Sequence, residues 1–134
     1  MSGRIEAIKD STRVLVVDDD EVTCRLLEEV LSGEGYSVER AQSGLDALDL
    51  HKAAPFDAVI SDIRMGEGLM TGLELLRSLR EATPDLVVVI MTAFGSMETA
   101  VEAIRDGAFD YVPKPFKIEE VKLEIGRASC RERV

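Results

Sequence analysis

At 134 residues the chain is long enough for one domain with its own core and too short for two ordinary ones. Its 46% apolar and 31% charged residues make a globular composition, and no run approaches the roughly 18 apolar residues of a membrane span. A net charge of −10 opposes direct docking on nucleic acid or anionic lipid, and two cysteines far apart in sequence give little support to a disulfide framework or a zinc site.

Residues 1–12 are polar and mixed in charge, without the apolar core of a secretory signal, so a short lead segment and a cytoplasmic location are expected. The run Val14–Val17 then suits a buried strand and ends in three carboxylates, Asp18, Asp19 and Asp20. Leu26, Leu27, Val30 and Leu31 keep the three-and-four spacing of a helix, which Gly33 and Gly35 close. A second strand is expected around Val38 and a second helix through Leu45 and Leu48, ended by Pro55. The run Ala58–Ile60 predicts a third strand and leads into Ser61 and Asp62; Leu73, Leu76 and Leu79 mark the helix after it, before Pro84. Leu86–Met91 is continuous and rich in β-branched residues, the pattern of a central strand, and Thr92 follows it. Met97, Ala100, Val101 and Ile104 mark a fourth helix before Gly107, and Tyr111–Val112 a fifth strand that runs into Lys114, Pro115 and Phe116.

Alternating βα units with short connections imply right-handed crossovers and a doubly wound α/β fold, a five-stranded parallel sheet with helices on both faces; it resembles the flavodoxin-like pattern, for which the strand order 2-1-3-4-5 is expected. The fifth helix is expected to be truncated or abnormal. It begins at Ile118, but the stretch from Gly126 to Val134 shows no apolar stripe to continue it. From about Glu124 the sequence resembles the translation of a common sequencing adapter joined to an interrupted reading frame. The expected organisation is therefore a lead at 1–12, a domain at 13–123 and a non-native tail at 124–134, with a following output domain lost.

In such a sheet the carboxyl ends of the strands meet in one crevice where ligands bind. The carboxylates at two strand ends, Asp18-Asp19-Asp20 after the first and Asp62 after the third, would crowd there and repel one another unless a hard divalent cation took the site, and magnesium, which combines one or two carboxylates with waters and phosphate oxygens, is the natural occupant. An aspartate so placed can act as a nucleophile toward phosphorus. Lys114 would neutralise a phosphoryl oxygen, and the Thr92 hydroxyl could hydrogen-bond another.

The motifs Val16-Val17-Asp18-Asp19-Asp20, Ser61-Asp62-Ile63-Arg64-Met65, Met91-Thr92-Ala93 and Lys114-Pro115-Phe116, in this order, resemble the receiver domain of two-component response regulators over roughly Arg13 to Leu123. The wording around Asp62 and from Ala108 to Phe116 is similar to receivers of the nitrogen-regulation type. The resemblance implies that Asp62 accepts phosphate from a sensor histidine kinase. It implies that Mg2+ is held by Asp19, Asp62 and the backbone carbonyl of Arg64, with Asp18 helping through water. Thr92 and Tyr111 would form a switch pair, Lys114 would sense the phosphate, and a cis peptide would precede Pro115. The implied partners are that kinase and a downstream output domain or protein controlling transcription, with a homodimer on phosphorylation as an option, and with neither nucleic acid nor membrane bound directly. The domain would catalyse its own phosphotransfer and dephosphorylation without being an enzyme otherwise. The sequence departs from the pattern at Gly66, where receivers usually carry proline, and at Gly72, ten positions after Asp62 where eight is usual; a longer, looser loop over Gly66–Thr71 is expected.

Rival readings rest on fewer residues. Asp18-Asp19-Asp20 contains the Asp-x-Asp of haloacid-dehalogenase-like phosphohydrolases, with Asp18 as nucleophile, but that reading leaves Asp62 without a role. A receiver that only docks proteins would bind no magnesium. Among single residues, Asp20 suits a helix cap, Cys24 a buried thiol, Met65, Met91 and Met97 core filler, and His51 the polar, exposed side of the second helix.

Overall fold

Strands β1 (Arg13–Val17), β2 (Ser37–Ala41), β3 (Ala58–Asp62), β4 (Val87–Ala93) and β5 (Asp110–Lys114) form one parallel sheet in the order β2-β1-β3-β4-β5. This is seen in the computed structural model, which describes residues 12–64, 70–93 and 97–131. The helices α1 (Glu21–Gly33), α2 (Gly44–Ala53), α3 (Gly72–Ala82) and α4 (Met97–Arg105) alternate with the strands, and α5 (Ile118–Arg131) follows β5. The expected fold class and strand order are both observed.

Alternation along the strands divides the interior into two cores, because successive side chains of a strand face opposite sides of the sheet. On one side Val14, Val16, Ile60, Val89, Met91 and Val112 pack with Cys24, Leu27 and Leu31 of α1 and Val121 and Ile125 of α5. On the other, Leu15, Val17, Val59, Val88 and Ile90 pack with Ala47 of α2, Leu75, Leu76 and Leu79 of α3 and Ala103 of α4. Gly35 (φ 99°) and Gly107 (φ 106°) end α1 and α4 in the left-handed conformation, where the next amides reach back, Tyr36 N to Leu31 O and Ala108 N to Ala103 O.

Three expectations are corrected. The fifth helix is not cut short at Gly126: α5 runs through Arg131, and Ala128 continues the buried stripe of Val121 and Ile125, because so small a side chain still fills a place against the sheet. The stripes of two other helices are carried by smaller residues than predicted. Leu45, Val101 and Ile104 are about half exposed, while Gly44, Ala47 and Ala103 face inward beside the expected Ala100, where a close helix–sheet approach admits little volume. His51, expected on the surface, is buried at 5% exposure beside Phe56.

Candidate functional site

The strand order reverses between β1 and β3, since β1 lies between β2 and β3, and the crevice that this opens at the carboxyl ends of the strands is the ligand position of such sheets. Asp18 extends β1 by one residue, its amide donating to Ala41 O at 3.1 Å. Asp62 ends β3 and Lys114 ends β5. Each lies an even number of residues from an inward-facing neighbour of the α1/α5 core, Asp18 from Val16, Asp62 from Ile60 and Lys114 from Val112. Period-two geometry therefore sends all three to the same side of the sheet at the same rim.

The side chains meet there. Lys114 Nζ lies 2.7 Å from Asp18 Oδ2 and 3.2 Å from Asp62 Oδ2. Asp18, Asp19 and Asp62 each place a carboxylate oxygen within 4.8 Å of the others. Asp18 and Asp62 are buried and Asp19 is exposed at the mouth. Burial raises the pKa of Asp18 above the ordinary aspartate value; Lys114 and the Asp20 amide oppose that rise, and the nearby Asp62 charge adds to it. Lys114 is itself held above the ordinary lysine value: its burial acts against the charge, but the two carboxylates outweigh it. Three carboxylates facing one ammonium make an oxygen-rich, electron-rich set that suits a hard divalent cation, magnesium above all.

The backbone around these groups is held from several sides. Asp18 Oδ1 accepts from Asp20 N at 2.9 Å, and Asp62 Oδ1 accepts from Arg64 N at 3.3 Å, which turns the chain back over the crevice at both strand ends. Asp20 is the N-cap of α1, accepting from Val22 N and from Thr23 Oγ1. It is thereby occupied in the cap that the sequence suggested, and the Asp-x-Asp reading loses its second member. The Cys24 thiol, 1% exposed, donates to Asp18 O at 3.2 Å, and burial pushes its pKa up to about 11, so it packs and orients without reacting. That contact was not anticipated, although the position of Cys24 on the first turn of an amphipathic α1 is the signal that could have revealed it.

Thr92, 4% exposed, lies near the end of β4, one residue beyond the partner of Asp62 in the β3–β4 register. Alternation puts it on the face of Val88 and Ile90, against which Tyr111 also packs half-buried, so the expected switch pair shares one side of the sheet. The Lys114–Pro115 peptide is cis, as expected. Of the longer loop, residues 65–69 lie outside the described residues. Its far end closes tightly: Gly72 N donates to Ile63 O at 2.9 Å, and a Cβ on Gly72 would run into the backbone of Asp62 and Ile63. Gly72 thus packs its bare Cα against the end of β3 despite lying ten positions after Asp62. Thr71 caps α3 in a reciprocal box with Glu74, fixing where the loop ends.

Residues 14–125 match the family described as the response regulator receiver domain. The chain is 42% identical over 121 residues to the transcriptional regulatory protein ZraR of Klebsiella oxytoca, covering 90% of this chain and 27% of that protein. It is 45% identical over 109 residues to the response regulator MprA of a Mycobacterium species, covering 81% and 46% respectively. Among solved structures, the receiver domain of NtrX from Brucella abortus superimposes with a TM-score of 0.82 at 38% identity, over 87% of this chain and 97% of that one. The chain therefore spans about a quarter to a half of the length of these curated relatives.

Proposed function

Because this chain belongs to the response regulator receiver family of two-component signalling proteins, with relatives of the NtrC-like type, we propose that it is a phosphoaccepting switch in which Asp62 takes a phosphoryl group from the histidine of a sensor kinase. The observation that supports this most is the single crevice shared by Asp18, Asp19, Asp62 and Lys114. A carboxylate oxygen of Asp62 forms the new O–P bond as the P–N bond of the donor breaks, the imidazole leaving with the electron pair. Asp19, Asp62 and the Arg64 carbonyl, with Asp18 through water, are the residues that would hold magnesium, which when bound supplies charge neutralisation for the phosphoryl oxygens. Lys114, already 3.2 Å from Asp62 Oδ2, pairs with one phosphoryl oxygen, and the Thr92 hydroxyl with another.

The same groups make the switch. Added negative charge on Asp62 draws Thr92 and Lys114 toward it, and Tyr111 follows into the space on the shared face. The surface of α4, β5 and the start of α5 then changes its preference for a downstream output domain or protein, through which transcription is regulated; a differential of a few kcal/mol suffices to reverse a minor population. Incubation with acetyl phosphate and magnesium should add one hydroxylamine-labile phosphoryl group by intact mass, and omitting magnesium should abolish it. Undiminished labelling of Asp62→Ala would overturn the site. Turnover of an aryl phosphate that is lost in Asp18→Asn and kept in Asp62→Asn would instead favour the phosphohydrolase reading.

A further inference from the structure

The one histidine of the chain, His51, lies outside the acidic crevice, in a place the signalling mechanism does not use. It sits in the last turn of α2 at 5% exposure, with both ring nitrogens engaged. The backbone N–H of Phe56, just ahead of β3, donates to Nδ1 at 3.1 Å, and Nε2 lies 2.9 Å from the hydroxyl oxygen of Thr83, the C-cap of α3. A backbone amide can only donate, so Nδ1 must be bare and Nε2 must carry the proton that it gives to Thr83. The Phe56 ring lies nearly parallel to the imidazole, 18° between planes and 6.2 Å between centroids, and the Arg13 guanidinium sits 4.5 Å from the Phe56 centroid.

We propose that neutral His51 is a proton-sensitive pin joining the end of α2, the start of β3 and the end of α3, and that a second ring proton releases it. A proton on Nδ1 would face the Phe56 N–H, leaving two buried donors opposed and one hydrogen bond lost. Nearby charges do not rescue the imidazolium. Arg13 of β1 adds positive charge across Phe56 and is itself paired with Glu39 of β2 at 3.0 Å; Asp57 accepts from the Arg13 amide; Asp49 and Lys52 are exposed on α2, and Glu81 and Asp85 are exposed about the end of α3. Burial, the cause that lowers the His51 pKa below its ordinary value, therefore acts against no opposing carboxylate. With the folded value depressed, the unfolded chain binds more protons, so stability is full above the ordinary histidine value and is lost as pH falls through it toward the folded value. The pin is independent of the phosphoacceptor assignment, and either can fail alone.

A single histidine makes the test unambiguous. Imidazole ¹⁵N NMR of the full chain at pH 7.5 should show the Nε2–H tautomer. Urea unfolding from pH 7.5 to 5.0 should show the unfolding constant of the wild type rising by up to tenfold per pH unit relative to His51→Gln, whose amide can replace both hydrogen bonds but does not titrate. Should the variant fail to fold, the wild-type tautomer and titration still decide. An Nδ1–H tautomer, or a ring that titrates at about 6.5 in a fold left unchanged, would overturn the proposal.

Discussion

Three consecutive aspartates have three fates, decided by where β1 stops. Asp18 still belongs to the strand ladder and turns into the crevice toward Lys114, Asp19 stands exposed at its mouth, and Asp20 caps α1. Replacing Asp20 by alanine should lower the urea midpoint, as N-cap losses do, and leave phosphoryl uptake at Asp62 intact; chemical denaturation and labelling check the two halves separately. Lys114→Met removes the quarter-exposed ammonium that two buried carboxylates share and leaves their oxygens without that donor, so about 1–3 kcal/mol should be lost. Magnesium should then raise the melting temperature of the variant more than that of the wild type, because a cation is what the crevice lacks. Asp18, Asp62 and Lys114 could be read from the sequence because each follows a strand-like run. His51 could not, since its burial depends on Phe56 and Thr83 closing over it from two other elements, and no local pattern carries that.

At the scale of elements, continuous apolar runs located β1, β3 and β4, and three-and-four spacing located the helices. Stripes built from alanine and glycine were misread because small residues carry little hydrophobic signal where close packing demands them, as at Ala47, Ala103 and Ala128. The same blindness suggested a broken α5. Gly126 lies inside that helix with ordinary room for a Cβ, whose nearest neighbour would be the Tyr36 hydroxyl at 4.0 Å, so Gly126→Ala should stabilise the domain by about 0.5–1 kcal/mol in a denaturation series. Gly72 is the opposite case. A methyl group there meets backbone on two sides, so Gly72→Ala should destabilise by about 1–3 kcal/mol and, by displacing the end of β3, slow the phosphorylation of Asp62 as followed by intact mass.

For the molecule as a whole, one twofold alternation does two jobs: it separates the cores on either side of the sheet, and it sends Asp18, Asp62 and Lys114 to one rim. A parallel, doubly wound sheet was legible from the short βα connections, and its strand order from the flavodoxin-like pattern it resembles, while the meeting of side chains 52 and 96 residues apart emerges only once that order is formed. Removing residues after Leu123 would take Ile125 and Ala128 from the α1/α5 side, and burying one large aliphatic side chain alone is worth about 2–5 kcal/mol against a typical total of about 5–15. Such a shortened chain should show a clearly lowered urea midpoint. The central claim is that the crevice directs phosphate to Asp62 and to no other carboxylate. Borohydride reduction of the chain phosphorylated with acetyl phosphate and magnesium, followed by peptide sequencing in the mass spectrometer, converts the modified aspartate to homoserine and so reads its position. Homoserine is expected at position 62 alone; homoserine at 18, 19 or 20 would overturn the assignment of Asp62.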